Sequence, residues 1–361
     1  MTRNTVHERL LRTHEGKGMF PLPRGKNDGF LAWLEHWLTE EEASFLLLLP
    51  LEYEQPASAE EIAGRAGTTT EATAAMLEAL MDKAMVVRGG SEEPESLAYT
   101  QGSWLYITEA YLHRYVDVEN PGEVDVKMGR WLEDIKQSEH LEEKASYFRV
   151  IPIEEVIEDT RGVVSRQRAS EIVSKADYVA VMRCLCRSSS HLVGKPCRYP
   201  LEVCFTFGGH GREYVKRRFG REVTREWALE TIKECEDMGL IHATDNIHGM
   251  ESVLCNCCSC HCIAVTGFRK DDQLIRSARS NFISVVNSDE CDGCGECAEK
   301  CPYRAVDLEN GKAIVEQDRC IGCGLCATAC PIEAIALKLR SPEQMDKYYR
   351  SMEEYTEDLT R

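Results

Sequence analysis

The hydrophobic pattern of the first third of the chain is helical. Three stretches open with a hydroxyl residue followed three positions later by glutamate: Thr39 to Glu42, Ser58 to Glu61 and Thr68 to Glu71. This is the capping-box arrangement, and three successive helices are expected from it. The third, TTTEATAAMLEALMDKAMVV, places Ala72, Met76, Leu77 and Leu80 on one apolar stripe. It runs into Val86, Val87 and Arg88-Gly89-Gly90, and SEEPESLAYT then reads as a turn and returning strand. Residues 104–147 continue as amphipathic helix around Trp104, Tyr111, Trp131 and Leu141. Further on, YVAVM from Tyr178 is a short apolar run of strand character. TREWALETIKECEDMGLIH is a helix with Ala228, Ile232 and Cys235 on its core stripe. Asn310-Gly311, flanked by apolar residues, is a strong hairpin signal. The segment after Ser341 reads as a charged surface helix or docking extension.

At 361 residues the chain is long enough for two or three domains and a sizeable core. Its 43 Lys and Arg against 61 Asp and Glu give a net charge of −18. Such a chain repels itself, and phosphate backbones and anionic membranes are poor partners for it. The longest apolar run, Phe45 to Leu49, stops at Pro50 and is too short to span a bilayer. The opening MTRNTVHERLLRTHEGKG has no apolar signal region or twin arginine, so a cytoplasmic protein is expected. In that reducing setting 18 cysteines indicate metal or redox chemistry.

Eight of those cysteines form an internal duplication. CDGCGECAEKCP from Cys291 and CIGCGLCATACP from Cys320 both read C-x2-C-x2-C-x3-C-P, and a shift of 29 residues superposes Cys291, Cys294, Cys297 and Cys301 on Cys320, Cys323, Cys326 and Cys330. Thiolates two residues apart reach separate corners of an iron-sulfur cube only if the chain curls tightly. Gly293, Gly295, Gly322 and Gly324 permit that curl. Zinc would use only four thiolates per ion, and a disulfide framework belongs to secreted domains. Residues 283–338 resemble the bacterial two-cluster ferredoxins, in which the fourth cysteine of each run ligates the other cluster. The resemblance implies two 4Fe-4S clusters, one held by Cys291, Cys294, Cys297 and Cys330, the other by Cys320, Cys323, Cys326 and Cys301.

A second cysteine system lies upstream: Cys184 and Cys186 in RCLCR, Cys197 in GKPCRYP, Cys204 in LEVCF, and Cys255, Cys257, Cys258, Cys260 and Cys262 in CNCCSCHC. Clustered thiols without a metal repel one another when ionised and oxidise when not. Arg183, Arg187, Lys195 and Arg198 supply cations to offset an anionic site. A further 4Fe-4S cluster is the favoured reading, with structural zinc or a redox thiol site as alternatives, and the pattern does not decide which cysteines bind. His191, His210, His248 and His261 are candidate ligands, and His261, between two cysteines, is the best placed. These motifs resemble a module of multi-domain ferredoxin-like proteins of anaerobes.

SAEEIAGRAGTTTEATAAMLEALMDKAMV resembles the winged helix-turn-helix of bacterial regulators. The recognition helix of that pattern would carry Glu71, Glu78 and Asp82 against Lys83, and its wing Glu92, Glu93 and Glu95 against Arg88. Both surfaces would repel DNA, so a packing or protein-docking role is expected. By contrast, residues 212–225 hold six basic residues against two acidic ones, a candidate docking patch for an acidic redox partner.

The fold expected is α+β and multi-domain: a helical, winged-helix-like domain at 1–150 (core about 28–104), a cysteine-rich α/β module at 151–280, a two-cluster ferredoxin-like domain at 281–340 and a charged helical tail at 341–361. The function expected is iron-sulfur electron transfer, as a carrier or as the wiring subunit of a larger oxidoreductase that is its redox partner. GxGxxG, HExxH and a nucleophile elbow are absent, so no catalytic residues are assigned. Two rivals remain: a redox-sensing winged-helix regulator, and an oxidoreductase with a catalytic cluster in the middle module.

Overall fold

Helices begin where the sequence supplies caps. In the computed structural model, which describes residues 5–17, 22–52, 54–89, 97–137, 146–157, 168–265 and 277–360, the chain divides into two units. Unit 1 comprises Met1–Leu141, Arg187–Pro196 and Lys216–Phe219, and unit 2 the remainder. Unit 1 holds α1 (Val6–His14), α2 (Asp28–Trp37), α3 (Glu40–Leu46), α4 (Ala59–Ala66), α5 (Thr70–Asp82), the antiparallel pair β1 (Val86–Gly89) and β2 (Ala98–Gln101), α6 (Trp104–Arg114) and α7 (Glu123–Gln137). Reciprocal capping boxes open α3 at Thr39 and α4 at Ser58, as expected. The third cap is displaced by one residue. Gly67 ends α4 in the left-handed conformation and Thr68 N donates to Ala63 O, so Thr68 is consumed in closing α4 and Thr69 caps α5 instead. The buried stripe turns with it, to Thr73, Leu77, Leu80 and Met81, and leaves Ala72 exposed. The turn between β1 and β2, with its three glutamates, and Leu141 lie outside the described residues.

Aromatic packing fills the core of unit 1. Phe30 stacks between Trp33 and Trp131, and Trp104 meets Trp131 edge to face. A Cβ at Gly29 would collide with Lys127 O and Trp131 Cβ, so glycine sets the close approach of α2 to α7.

Unit 2 is built on a seven-stranded sheet among the described residues, in the order β6 (Arg221–Glu222), β4 (Val179–Arg183), β5 (Glu202–Phe207), β8 (Val253–Cys257), β7 (Ile241–Asp245), β3 (Phe148–Ile151), β9 (Ser277–Ala278). All neighbours are antiparallel except β3 and β9. The remaining helices up to the sheet's end are α8 (Ala169–Lys175), α9 (Leu185–Leu192), α10 (Gly208–Lys216) and α11 (Arg225–Asp237). The strand period of two sorts the sheet's side chains between two faces. On one, Ile151, Val181, Phe205, Phe207 and Leu254 pack with Ile172, Val173, Ala228 and Ile232 of α8 and α11. On the other, Val150, Ile241, Ala243 and Cys257 pack with Tyr303, Ile321 and Leu325 of the duplicated segment.

That segment consists of an outer pair, β10 (Phe282–Val286) with β13 (Ile335–Leu339), the short helices α12 (Glu296–Lys300) and α13 (Leu325–Thr328), and an inner hairpin, β11 (Val306–Glu309) with β12 (Lys312–Val315). Asn310 and Gly311 turn the hairpin with φ of 51° and 74°, as the sequence signal requires. The final helix, α14 (Met352–Thr360), follows a segment fastened to the sheet rather than extended from it. Buried Arg149 donates to Asn246 Oδ1 (2.7 Å), Arg279 O (2.7 Å), Asn281 Oδ1 (2.9 Å), Asp346 O (2.8 Å) and Lys347 O (2.9 Å). Tyr349 and Tyr355 are buried beyond it. Among the described residues no helix is long and apolar enough to cross a membrane.

Candidate metal centres

The two cysteine runs curl around two small cavities. Cys291, Cys294 and Cys297 line the first together with Cys330 from the other run. Cys320, Cys323 and Cys326 line the second together with Cys301. The curl depends on Gly293 and Gly322, which occupy equivalent places in the repeat with φ of 77° and 70°. A Cβ at Gly293 would run into the carbonyl of Gly311, and one at Gly322 into the carbonyl of Phe282.

Each cavity's sulfurs receive backbone donors. Ala313 N donates to Cys291 Sγ at 3.4 Å, Ala305 N to Cys301 Sγ at 3.4 Å and Ala334 N to Cys330 Sγ at 3.2 Å. The last two are repeat-related, so the duplication preserves the hydrogen bond as well as the cysteine. The Cys326 thiol lies 3.1 Å from Ser284 Oγ. Without a positive partner these thiols resist ionisation: burial pushes Cys326 up to about 12 and Cys323 well above the ordinary thiol range. Cys-only donors, backbone amides on sulfur and glycine cradles fit cubane clusters. The two cavities differ in exposure. Cys294 is exposed, and Leu308 and Ile332 beside it are 45% and 41% exposed, whereas Cys320 and Cys326 are buried.

Sheet geometry organises the upstream cysteines. On β8 the pleat sends Leu254 to the helical core and Cys255 and Cys257 to the opposite side, and Cys204 departs likewise from Phe205 on β5. Cys184 ends β4's path and Cys186 lies in the first turn of α9. Six sulfurs then form a closed ring of side-chain contacts. Cys186 touches Cys184 and Cys262, Cys257 touches Cys262 and Cys255, and Cys204 touches Cys255 and Cys184. Hydrogen bonds from Cys204 and Cys257 hold the Cys255 thiol down at about 6, and those from Cys186 and Cys257 hold Cys262 well below its usual range. Ile263 N donates to Cys186 Sγ at 3.3 Å. The ring shares an apolar core with Cys301, Cys323 and Tyr303, whose buried ring lies within electrostatic reach of Cys323, Cys262, Cys257 and Cys301.

The other three upstream cysteines stand apart. Cys197, Cys258 and Cys260 gather with His261, their ligand atoms all within 4.8 Å of one another. The nine cysteines therefore divide into a group of six and a group of three. The alternation in CNCC contains this division, since Cys255 and Cys257 share a strand face. Which sulfurs meet across the sheet depends on β5–β8 pairing, which no local pattern announces. Cys235 is fully buried in the core, as its helical stripe implies. Of the other candidate histidines, His248 lies over Tyr348, with centroids 3.8 Å apart, and His191 Nδ1 lies 3.8 Å from Glu119 Oε1. Arg183 and Arg198 belong to unit 2 with the sulfurs, Arg187 and Lys195 to unit 1.

Three of the six cations in the basic run 212–225 are paired with carboxylates, while Lys216 and Arg218 are exposed. Arg212 pairs with Asp177 and lies over Tyr178, Arg221 pairs with Glu202 and lies over Trp227, and Arg225 donates to Ala176 O. Within unit 1, Arg217 is buried with its Nη1 2.6 Å from Glu78 and 2.7 Å from Asp82 on α5.

Residues 284–337 match a family described as a 4Fe-4S dicluster domain. Over 30 residues the chain is 53% identical to Ferredoxin-2 of Desulfomicrobium norvegicum (strain DSM 1741 / NCIMB 8310), a stretch that is 8% of this chain and 51% of that ferredoxin. The chain thus spans about half the length of the curated relative it matches. The segment is ferredoxin-like and of iron-sulfur type.

Proposed function

We propose that the chain transfers single electrons through two 4Fe-4S clusters in the duplicated segment and a further cluster in the six-sulfur ring, as a carrier or as the wiring subunit of a larger oxidoreductase. The observation that carries this reading is the crossed lining of the two cavities, each taking three cysteines from one run and the fourth from the other. Bound there, such clusters supply reversible one-electron chemistry. The protein's residues hold the sulfurs and donate amides to them. Tyr303, Ile321 and Leu325 fill the space between the second cavity and the ring, giving a short apolar path between sulfur groups. The exposed edge at Cys294, with Leu308 and Ile332, is the proposed contact for the redox partner.

On the same reading, the α3–α5 bundle with its β1–β2 pair is a winged helix used for packing. Arg217 already occupies Glu78 and Asp82 of the helix that would read DNA, which supports a structural module over a regulator. The proposed location is the cytoplasm, whose thiol-reducing conditions suit exposed cysteine ligands.

Paired substitutions in the full chain test the crossing. Cys330→Ser should remove about four iron atoms, and adding Cys294→Ser should remove no more, because both residues serve one cluster. Cys330→Ser with Cys323→Ser should strip both clusters. If instead Cys330→Ser is silent in the Cys323→Ser background, each run holds its own cluster and the crossed assignment is wrong.

A further inference from the structure

The structure assigns Cys197, Cys258, Cys260 and His261 to a mononuclear zinc site, separate from the six-sulfur ring and independent of the electron-transfer reading. The argument begins with scale. Tetrahedral zinc with Zn–S bonds of about 2.3 Å has sulfur-sulfur edges of about 3.8 Å. Cys197 Sγ lies 3.9 Å from Cys258 Sγ and 3.9 Å from Cys260 Sγ, and all four donor atoms fall within 4.8 Å of one another. A cubane cluster assigns each cysteine to a different iron and spreads its sulfurs around a wider body than one ion. This group closes on a volume for one ion.

Donor chemistry agrees with that size. Three thiolates and an imidazole make a Cys3His set, and four protein ligands close a structural rather than a catalytic site. His261 Nδ1 faces the group, 3.0 Å from Cys260 Sγ. Zinc with three thiolates and a neutral imidazole leaves one negative charge. Arg198, adjacent in sequence to Cys197, lies within electrostatic reach of Cys260 and Cys197. One side of the site is apolar, since Cys197 and Cys258 pack with Val203, Cys235 and Leu240, while Cys260 is exposed.

Topology supplies the purpose. Cys258, Cys260 and His261 lie in the turn that leaves β8, and Cys197 lies in the segment that enters β5. An ion there ties both segments together at the end of the sheet that carries Cys255 and Cys257. Cys262 N donates to Cys258 O at 3.3 Å, the one-turn link between the two sulfur groups. Zinc is redox-inert and four protein ligands leave it no open position, so the site is structural.

The test uses full-length protein without a polyhistidine tag, prepared anaerobically with zinc chloride in the growth medium. The expected result is about one zinc per chain, with an X-ray absorption shell of three sulfurs at about 2.3 Å and one nitrogen at about 2.0–2.1 Å. Cys260→Ser and His261→Ala, at the solvent side of the site, should each abolish zinc retention while leaving iron and acid-labile sulfide unchanged. His261→Cys should retain zinc with a four-sulfur shell. The assignment is overturned if the wild-type chain takes up no zinc, if its zinc shell contains no nitrogen, or if zinc persists in both loss variants. It is equally overturned if iron and sulfide fall with zinc, because the four residues would then belong to an iron cluster.

Discussion

Gly293 and Gly311 are both left-handed, yet they should respond differently to the same substitution. A Cβ at Gly293 meets the Gly311 carbonyl, whereas nothing lies within 4 Å of one at Gly311. Gly311→Ala therefore carries only the conformational penalty, about 1–2 kcal/mol, and should retain full iron. Gly293→Ala adds a backbone collision inside the cysteine loop and should lose the first cluster, as iron analysis of the two variants will show. Asp245 carries the residue-scale pH dependence. Its carboxylate accepts from Ser252 N (2.7 Å), Ser252 Oγ (2.9 Å) and Val253 N (3.2 Å), yet burial raises its pKa from 3.8 to about 6. The folded chain thus binds the proton more tightly than the unfolded chain, and stability falls as pH rises from about 4 to about 6, then levels. Relative to Asp245→Asn, wild type should lose about 1 kcal/mol between pH 5 and 7 in denaturant titrations.

At the scale of elements, local chemistry was legible wherever one segment decided its own structure. Thr39 and Ser58 cap their helices, and Asn310-Gly311 turns its hairpin, because those signals need only three or four adjacent residues. Thr68 misled because Gly67 drew it into the preceding helix's end. Which sulfurs of CNCCSCHC meet Cys204 and Cys184 required knowledge of which strands pair, and the partial pairing of the basic run required the partners of Arg212, Arg217 and Arg221, all distant in sequence. The segment after Ser341 looks solvent-borne by composition, but Arg149 binds its backbone. Arg149→Lys cannot reproduce five donor contacts, and leaving buried carbonyls unpaired should cost about 3 kcal/mol or more. Limited proteolysis should then release the C-terminal peptide from the variant at protease levels that leave wild type whole.

For the whole molecule, unit 2 uses one face of its sheet for a conventional helix-packed core and the other for sulfur. The second cavity of the duplicated segment and the six-membered ring share an apolar core there with Tyr303, and the first cavity completes three groups of thiols. Duplication made the two cavities legible at once. The ring emerged only when β4, β5 and β8 were placed side by side. The central claim is that these groups hold iron-sulfur clusters, and the direct measurement is iron and acid-labile sulfide per chain in full-length protein purified without oxygen. The account requires about twelve of each, in three 4Fe-4S clusters bleached by dithionite. A chain that binds zinc in the duplicated segment and contains no acid-labile sulfide would contradict it.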